Sequence, residues 1–347
     1  MFRPMRTGLL AAGLGIAVLM PLAAQRAPSL PSRQSFDIAA GSLAGHHYPI
    51  VELIARSVSH PPGLARCEKP GVCAPPGLIV STRSSEGALA NARAVESGQV
   101  ASGLAPSNLV ADAVAGRGAF RKVGRQKHIR VAASLFPETM QLVVAARSKI
   151  KTVRGLRRQR VSLGRKGSGG ESVALAVLSA YGVSQRSLKL RRENSEAAAR
   201  LLRQGKLDAF FYLGAAPSPV IANLVTRGSA RLVPISGTLQ RRLLARQRGL
   251  SAASIPTGAY GNTAPIASVG CRILWIVKDS TPPATVYGLV RALYHPANRA
   301  TLAAGSPPLD RLSLAEAVKD LTAPLHPGAE SFYREMGKLP ARPARRK

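Results

Sequence analysis

Short apolar runs alternate along this chain with stretches in which apolar residues return every third or fourth position, the signature of strands and amphipathic helices in succession. Residues 36–40 read as a first strand, and residues 46–59, with Ile50, Leu53, Ile54 and Val58 on one face, as the first helix. Past a Pro- and Gly-rich excursion, residues 78–80 form a second strand and residues 86–97 an Ala-rich helix. Residues 100–104 and 129–135 are further strands, separated by a helix at 109–114. A second alternating block follows. Its strands are predicted at 142–144, 161–163, 188–190 and 209–213, and its helices at 153–156, 171–181 and 195–204. An apolar run at 273–277 and a helix at 281–293 close the pattern. Such alternation calls for mostly parallel sheets with flanking helices, and 347 residues are enough for about two domains.

Composition changes this picture in three ways. Aromatic residues make up only 4% of the chain, so the cores must be built from Ala, Val and Leu, and stacked-ring recognition of single-stranded nucleic acid is disfavoured. The N-terminus places Arg3 and Arg6 before an apolar run and then Pro21-Leu22-Ala23-Ala24, the layout of an export signal over residues 1–24. The expected location is therefore the periplasm, with the segment either cleaved or kept as an anchor. Cys67 and Cys73 flank a turn-forming stretch and are expected to form a disulfide in that oxidising compartment, whereas Cys271, within an apolar run, is expected to be a buried free thiol.

Charge is the third. The chain carries 49 basic and 17 acidic residues, a net +32. The leader and the Pro- and Arg-rich tail at 338–347 hold few of these, so the folded body is itself basic. Its basic residues are spread along the chain except at 154–166 and 189–192, which favours a solvated Arg-rich surface in a compositionally biased protein; steering of anionic ligands and a weak contact with an anionic membrane surface are the functional readings, ahead of nucleic-acid binding.

Two strand-to-helix junctions are built from small residues: Gly41-Ser42-Leu43-Ala44-Gly45 and Gly164-Arg165-Lys166-Gly167-Ser168-Gly169-Gly170. Free backbone N–H groups and the positive end of the dipole make a helix start of this kind a site for an anion. The second loop is not a P-loop, since Gly169 is followed by Gly170-Glu171 and not by Lys-Ser/Thr; the first lacks the dinucleotide fingerprint. Ser42 and Ser168 offer hydroxyls to a ligand or cap their helices. Tyr48 and Tyr212 close on a ligand or fill core. Adjacent His46 and His47 would point about 100° apart on a helix, a poor metal pair. No triad, paired-carboxylate motif or metal-ligand spacing supports catalysis. No metal or cofactor is expected.

A longer ordered set of motifs resembles the TAXI-type solute-binding proteins of TRAP transporters, within the type II periplasmic-binding fold. It comprises the first loop ending in His47-Tyr48-Pro49, Glu86-Gly87-Ala88-Leu89-Ala90-Asn91, Ser134-Leu135-Phe136-Pro137-Glu138, Val161-Ser162-Leu163-Gly164 with Gly167-Ser168-Gly169, and Phe210-Phe211-Tyr212-Leu213-Gly214-Ala215-Ala216-Pro217-Ser218. Ile255-Pro256-Thr257-Gly258-Ala259-Tyr260 and the closing Pro324-Leu325-His326-Pro327-Gly328-Ala329 complete it.

The resemblance implies a two-lobed α/β protein. Lobe 1 would hold residues 34–140 and 269–337, and lobe 2 residues 141–268. A two-strand hinge is implied near 136–143 and 269–274. It further implies that a small organic anion, a glutamate-like or other carboxylate, is captured between the lobes and passed to a TRAP membrane permease. Carried onto this chain, the pocket would comprise Ser42, Leu43, Ala44, Gly45, His46 and Tyr48 from the first lobe, and Glu138 near the crossover. Ser162, Gly164, Gly167, Ser168, Gly169, Gly170, Gly214 and Pro217 would supply the second side. Relatives usually carry a tyrosine where this chain has His47, and Gln and Asp at Pro106 and Asn108, so the polar edge of the pocket differs. The competing reading is a basic exported surface-binding or sensor protein on the same scaffold, with no transport role.

Overall fold

The computed structural model describes residues 33–341; the leader, most of the linker after it and the end of the basic tail lie outside the described residues. Among those described, the strands are β1 (Gln34–Gly41), β2 (Leu78–Ser84), β3 (Ser102–Pro106), β4 (Ile129–Ala145), β5 (Arg160–Ser162), β6 (Lys189–Arg191), β7 (Ala209–Gly214), β8 (Ala230–Val233), β9 (Ser251–Ile255) and β10 (Ile266–Lys278). They follow the order β2-β1-β3-β10-β4-β7-β5-β6, with β8 paired to β4 and β9 to β10. The helices that matter for the site are α1 (His47–Val58), α2 (Ala88–Ser97), α3 (Ser107–Ala115), α4 (Gly169–Ala180) and α5 (Ser195–Arg203).

The sheet is mixed, where the alternating pattern predicts mostly parallel pairing. At one end β1 pairs in parallel with β2 and β3, and at the other β5 pairs in parallel with β6 and β7. In the middle β10 runs antiparallel to β3, β4 and β9, and β4 antiparallel to β7 and β8. The reason is connectivity: a chain that leaves one lobe along β4 and returns along β10 must run in opposite directions in the two strands.

These two strands also correct a boundary. Residues 129–135 and 142–144, predicted as separate strands, belong to one continuous strand of 17 residues. Its halves enter different cores. Leu135 and Phe136 pack with Phe36, Ile38, Trp275 and Tyr333, whereas Met140 and Leu142 pack with Val161, Val173, Phe211 and Ile235. Strand β10 divides likewise, with Val269 and Cys271 in the second core and Ile273, Trp275 and Val277 in the first. Ile129, Val131, Leu274 and Ile276 enter a further first-lobe cluster with Ala92, Leu109 and Phe120, and Val143 a further second-lobe cluster with Leu202, Phe210 and Ile221. Each lobe thus has its own pair of apolar clusters, and the two strands pass from one lobe to the other.

Cys67 and Cys73 are bonded, their Cα atoms 5.2 Å apart, and Cys271 is a buried free thiol. Among the described residues no helix is long and apolar enough to cross a membrane.

The first lobe closes with the helix Pro327–Glu335 packed on the helix Pro283–Tyr294. The approach is tight enough that a Cβ at Gly328 would lie 2.1 Å from the carbonyl oxygen of Pro283. Gly328→Ala should therefore force the two helices apart and destabilise the protein by about 1–3 kcal/mol or more. A lowered midpoint in urea and a lowered melting temperature are expected; an unchanged midpoint would show that this contact yields freely.

Candidate functional site

The site lies where β4 and β10 pass from one lobe to the other. There Glu138 stands opposite Cys271 in the strand register, and its side chain is 1% exposed. From the first lobe, a turn closed by the Gly45 N–H donating to the Ser42 carbonyl at 2.8 Å brings the start of α1 over the strand. His46 is the N-cap of α1 and His47 its first residue. Both rings turn inward, and each Nε2 lies 2.8 Å from Glu138 Oε1, with ring centroids 4.1 Å apart. The divergence expected of neighbours on a helix does not occur, because one of the pair precedes the helix and both side chains swing toward the same carboxylate.

The electrostatics follow from that cluster. Burial alone would raise the pKa of Glu138, but the His47 and His46 charges and their hydrogen bonds outweigh it and hold the carboxyl down at about 2. Burial likewise disfavours charge on His46, and Glu138 more than offsets it, so the imidazole pKa is raised. Glu138 Oε2 is buried with no hydrogen-bond partner. The His46 ring also faces Tyr212 of the opposite lobe, 5.8 Å between centroids.

From the second lobe comes the loop before α4. Ser168 caps this helix by accepting from the Glu171 N–H at 3.1 Å, while Glu171 reaches back to accept from the Gly167 N–H at 2.6 Å. This capping box answers two of the free N–H groups at the helix start. The Gly169 and Gly170 N–H groups, at the first two helical positions, have no acceptor within the helix. Arg192 pairs with Glu171 at 2.7 Å and shares its charge.

Together these elements enclose a cleft with a cavity of about 140 Å³. Of the residues expected at the site, Ser42, Ala44, Gly45, His46, Glu138, Gly164, Ser168, Gly169 and Gly170 line it. The others lie elsewhere, each for a physical reason. Leu43 is 68% exposed at the tip of its turn, and Tyr48 packs against the first core. Ser162 is buried beneath the floor, its Oγ accepting from the Glu193 and Gly164 N–H groups, so it holds the loops that line the cleft. Gly167 faces a second interlobe cavity of about 250 Å³. Gly214 seats the Tyr212 ring, where a Cβ would meet Cε1 at 2.7 Å. Pro217 follows a cis peptide bond and is exposed, outside the cleft.

Arg165, inside the Gly164–Gly170 loop, also lines it, whereas sequence reasoning missed His47, Glu86, Glu193 and Asn194 as lining residues. Of these, His47 and Glu86 stood within the motifs quoted above, and Glu193 and Asn194 carried no local signal.

Residues 38–337 match the family model described as the NMT1-like family. Among solved structures, XAC2383 from Xanthomonas citri aligns with a TM-score of 0.50 in both a chloride-bound and an ATP-bound form, at 10% and 11% identity, covering 87% of this chain and 95% of that one. The alkanesulfonate-binding protein SsuA from Xanthomonas axonopodis pv. citri bound to MOPS aligns at 0.44 and 17% identity, over 87% of this chain and 84% of that one. The periplasmic aliphatic sulphonate binding protein SsuA from Escherichia coli aligns at 0.42 and 14% identity, over 89% and 84%. The architecture is the two-lobed α/β fold of type II periplasmic binding proteins. The match identifies the NMT1-like family and not, specifically, the TAXI type that the motifs resemble.

The lobes touch across the cleft. Leu89 N–H donates to the Gly167 carbonyl at 3.0 Å, Asn108 Nδ2 to Ser172 Oγ at 2.9 Å, and Ser107 Oγ to the Gly249 carbonyl at 2.7 Å. Two glycines make this approach possible: a Cβ at Gly249, at φ +82°, would lie 2.4 Å from the Ser107 carbonyl carbon, and one at Gly87, at φ +120°, would lie 2.9 Å from the Gly167 carbonyl oxygen. Gly87→Ala should hold the lobes apart. Small-angle scattering with a saturating ligand should then give a larger radius of gyration than the parent protein, and the same radius in both would refute the role of this contact.

Proposed function

We propose that this chain, which belongs to the NMT1-like family, is an extracytoplasmic binding protein that captures a small organic anion between its lobes and presents it to a membrane permease. The observation that carries this reading is the interlobe cleft itself. It sets the His46 and Arg165 side chains and the unengaged Gly169 and Gly170 N–H groups around one small cavity, beside contacts that close the lobes. A cavity of about 140 Å³ suits a metabolite and not a polymer. The net charge of +32 draws anions toward it.

Mechanism follows from the two-strand connection. A ligand that contacts both lobes stabilises the closed form over the open one, so occupancy shifts the population. Micromolar affinity asks for about 8 kcal/mol net, within reach of several charge-assisted hydrogen bonds at roughly 1.5–3 kcal/mol each before ordering costs. A carboxylate head group fits the two N–H donors at the start of α4, and a glutamate-like zwitterion would add an ammonium for Glu86 or Glu193 at the rim. Delivery to a TRAP-type permease rests on the resemblance of the motifs to TAXI-type proteins. Delivery to an ABC-type permease is the second route, and transport that requires ATP hydrolysis in reconstituted vesicles would select it.

The test is a thermal-shift screen of dicarboxylates, amino acids, aromatic acids and sulfonates on the exported protein. A ligand at a hundred times its dissociation constant adds about 2.7 kcal/mol of stability, an easily read rise in melting temperature. Arg165→Glu, at an exposed position, should lower affinity for the best ligand about tenfold or more without altering the melting temperature of the empty protein. No shift with any anion, together with retention on anionic vesicles when the cleft is blocked, would favour a surface-binding role for the same scaffold.

A further inference from the structure

The His46, His47 and Glu138 cluster has a composition that anion capture does not require. One ligand atom from each of the three residues lies within 4.8 Å of the others, on elements separated by more than ninety residues in sequence. A tetrahedral zinc ion with bonds of about 2.0 Å holds its donors roughly 3.3 Å apart. The 2.8 Å separations of the two Nε2 atoms from Oε1 need to open by about half an ångström to match, and the two Nε2 atoms, within 4.8 Å of each other, need to settle at the same spacing. Glu138 Oε2, on a residue 2% exposed, is buried without a partner, an arrangement that costs free energy unless something else answers it. We infer that His46 Nε2, His47 Nε2 and the Glu138 carboxylate bind a divalent transition-metal ion of the zinc class at the floor of the cleft.

The donor set supports this choice of ion. Two imidazoles and one carboxylate suit zinc and its first-row neighbours, whereas calcium and magnesium favour all-oxygen shells. To bind, each neutral imidazole carries its proton on Nδ1 and gives the Nε2 lone pair to the metal, and Glu138 gives up its two hydrogen bonds to the histidines for a bond to the ion. Three protein donors leave a fourth position open, and all three residues line the cavity. The bound dication would thus meet the anion directly, which deepens the proposed function without depending on it.

Isothermal titration of the chelator-treated full chain with Zn²⁺ alone, in the absence of organic anions, tests the site. One equivalent with micromolar or tighter affinity is expected, and Co²⁺ should give the visible absorption of a tetrahedral complex. His46→Ala and His47→Ala should each weaken Zn²⁺ at least tenfold. His128→Ala, at an exposed histidine paired with Asp279, should leave it unchanged. Because His46 is partly exposed, its variant should remain folded, and its melting temperature without metal verifies that. No one-to-one binding, or equal affinity in both cleft variants and the parent, would overturn the inference. Either result would leave the anion screen to stand or fall separately.

Discussion

The structure depends on the antiparallel pairing of β4 with β10, which runs from Ile129 opposite Lys278 to Thr139 opposite Gly270 and absorbs two register shifts, at Ile273/Leu274 and Trp275/Ile276. Each strand contributes one part to the apolar clusters of each lobe, so the lobes are joined by ladders of backbone hydrogen bonds and not by a flexible loop. The passage between cores falls at residues 137–139 and 270–272, and it is built for close approach. A Cβ at Gly270 would lie 2.7 Å from the Glu138 carbonyl oxygen. Arg272 is buried there but fully engaged, donating to Ser134 Oγ at 2.5 Å, to the Leu135 carbonyl at 3.3 Å and to Glu316 at 3.2 Å. A buried guanidinium is tolerable only with such partners. Its backbone N–H also donates to Ser107 Oγ at 3.1 Å, and Ser107 in turn reaches Gly249 of the second lobe. The crossover strands and the contact between the lobes are therefore one connected structure.

Acidic residues are scarce in this chain, and the structure uses them locally. Glu138 is sustained in a buried setting by two histidines; Glu171 serves its own helix start and Arg192; Asp208 holds Arg160 through paired bonds of 3.0 and 2.6 Å. With 17 acids against 49 basic residues, most cations cannot be paired and remain on the surface. The long-range field is accordingly positive, while the field at the cleft floor is set by a carboxylate. The two act at different distances: the first extends into solvent, and the second is confined to the cleft floor.

Much of the fold could be read from periodicity because the buried strands and amphipathic helices of the first 214 residues keep one face apolar. The break came where that rule is broken for function. Pro137, Glu138, Thr139 and Gln141 interrupt the apolar pattern of β4, and a proline with polar neighbours ordinarily ends a strand. Here they mark the passage between lobes, where Glu138 enters the cleft and Gln141 is buried accepting from the Tyr260 hydroxyl at 2.7 Å. The helix Thr238–Arg246 escaped notice because Leu243 is its single buried residue, leaving almost no periodic signal. At the site, the two glycine-bearing loops could be seen in sequence because tight turns at positive φ, as at Gly41 and Gly164, select glycine locally. The inward turn of His47 could not, since its cause is a carboxylate 91 residues away.

The two helix starts that face the cleft are not equivalent, and the difference bears on how an anion is held. At α4 the capping box consumes two donors, and the Glu171 carboxylate lies against the positive end of the dipole, so only Gly169 and Gly170 remain to a ligand. At α1 no side chain caps the helix and no acidic residue occupies its first turn. Its positive end is opposed only by Glu138, a residue of the crossover strand and not of the helix. An anion entering the cleft therefore competes with Glu138 for the α1 side but not for the α4 side. Unless a cation neutralises Glu138, a negative charge is repelled from the α1 side of the cleft and not from the α4 side, where the Gly169 and Gly170 N–H groups stand free.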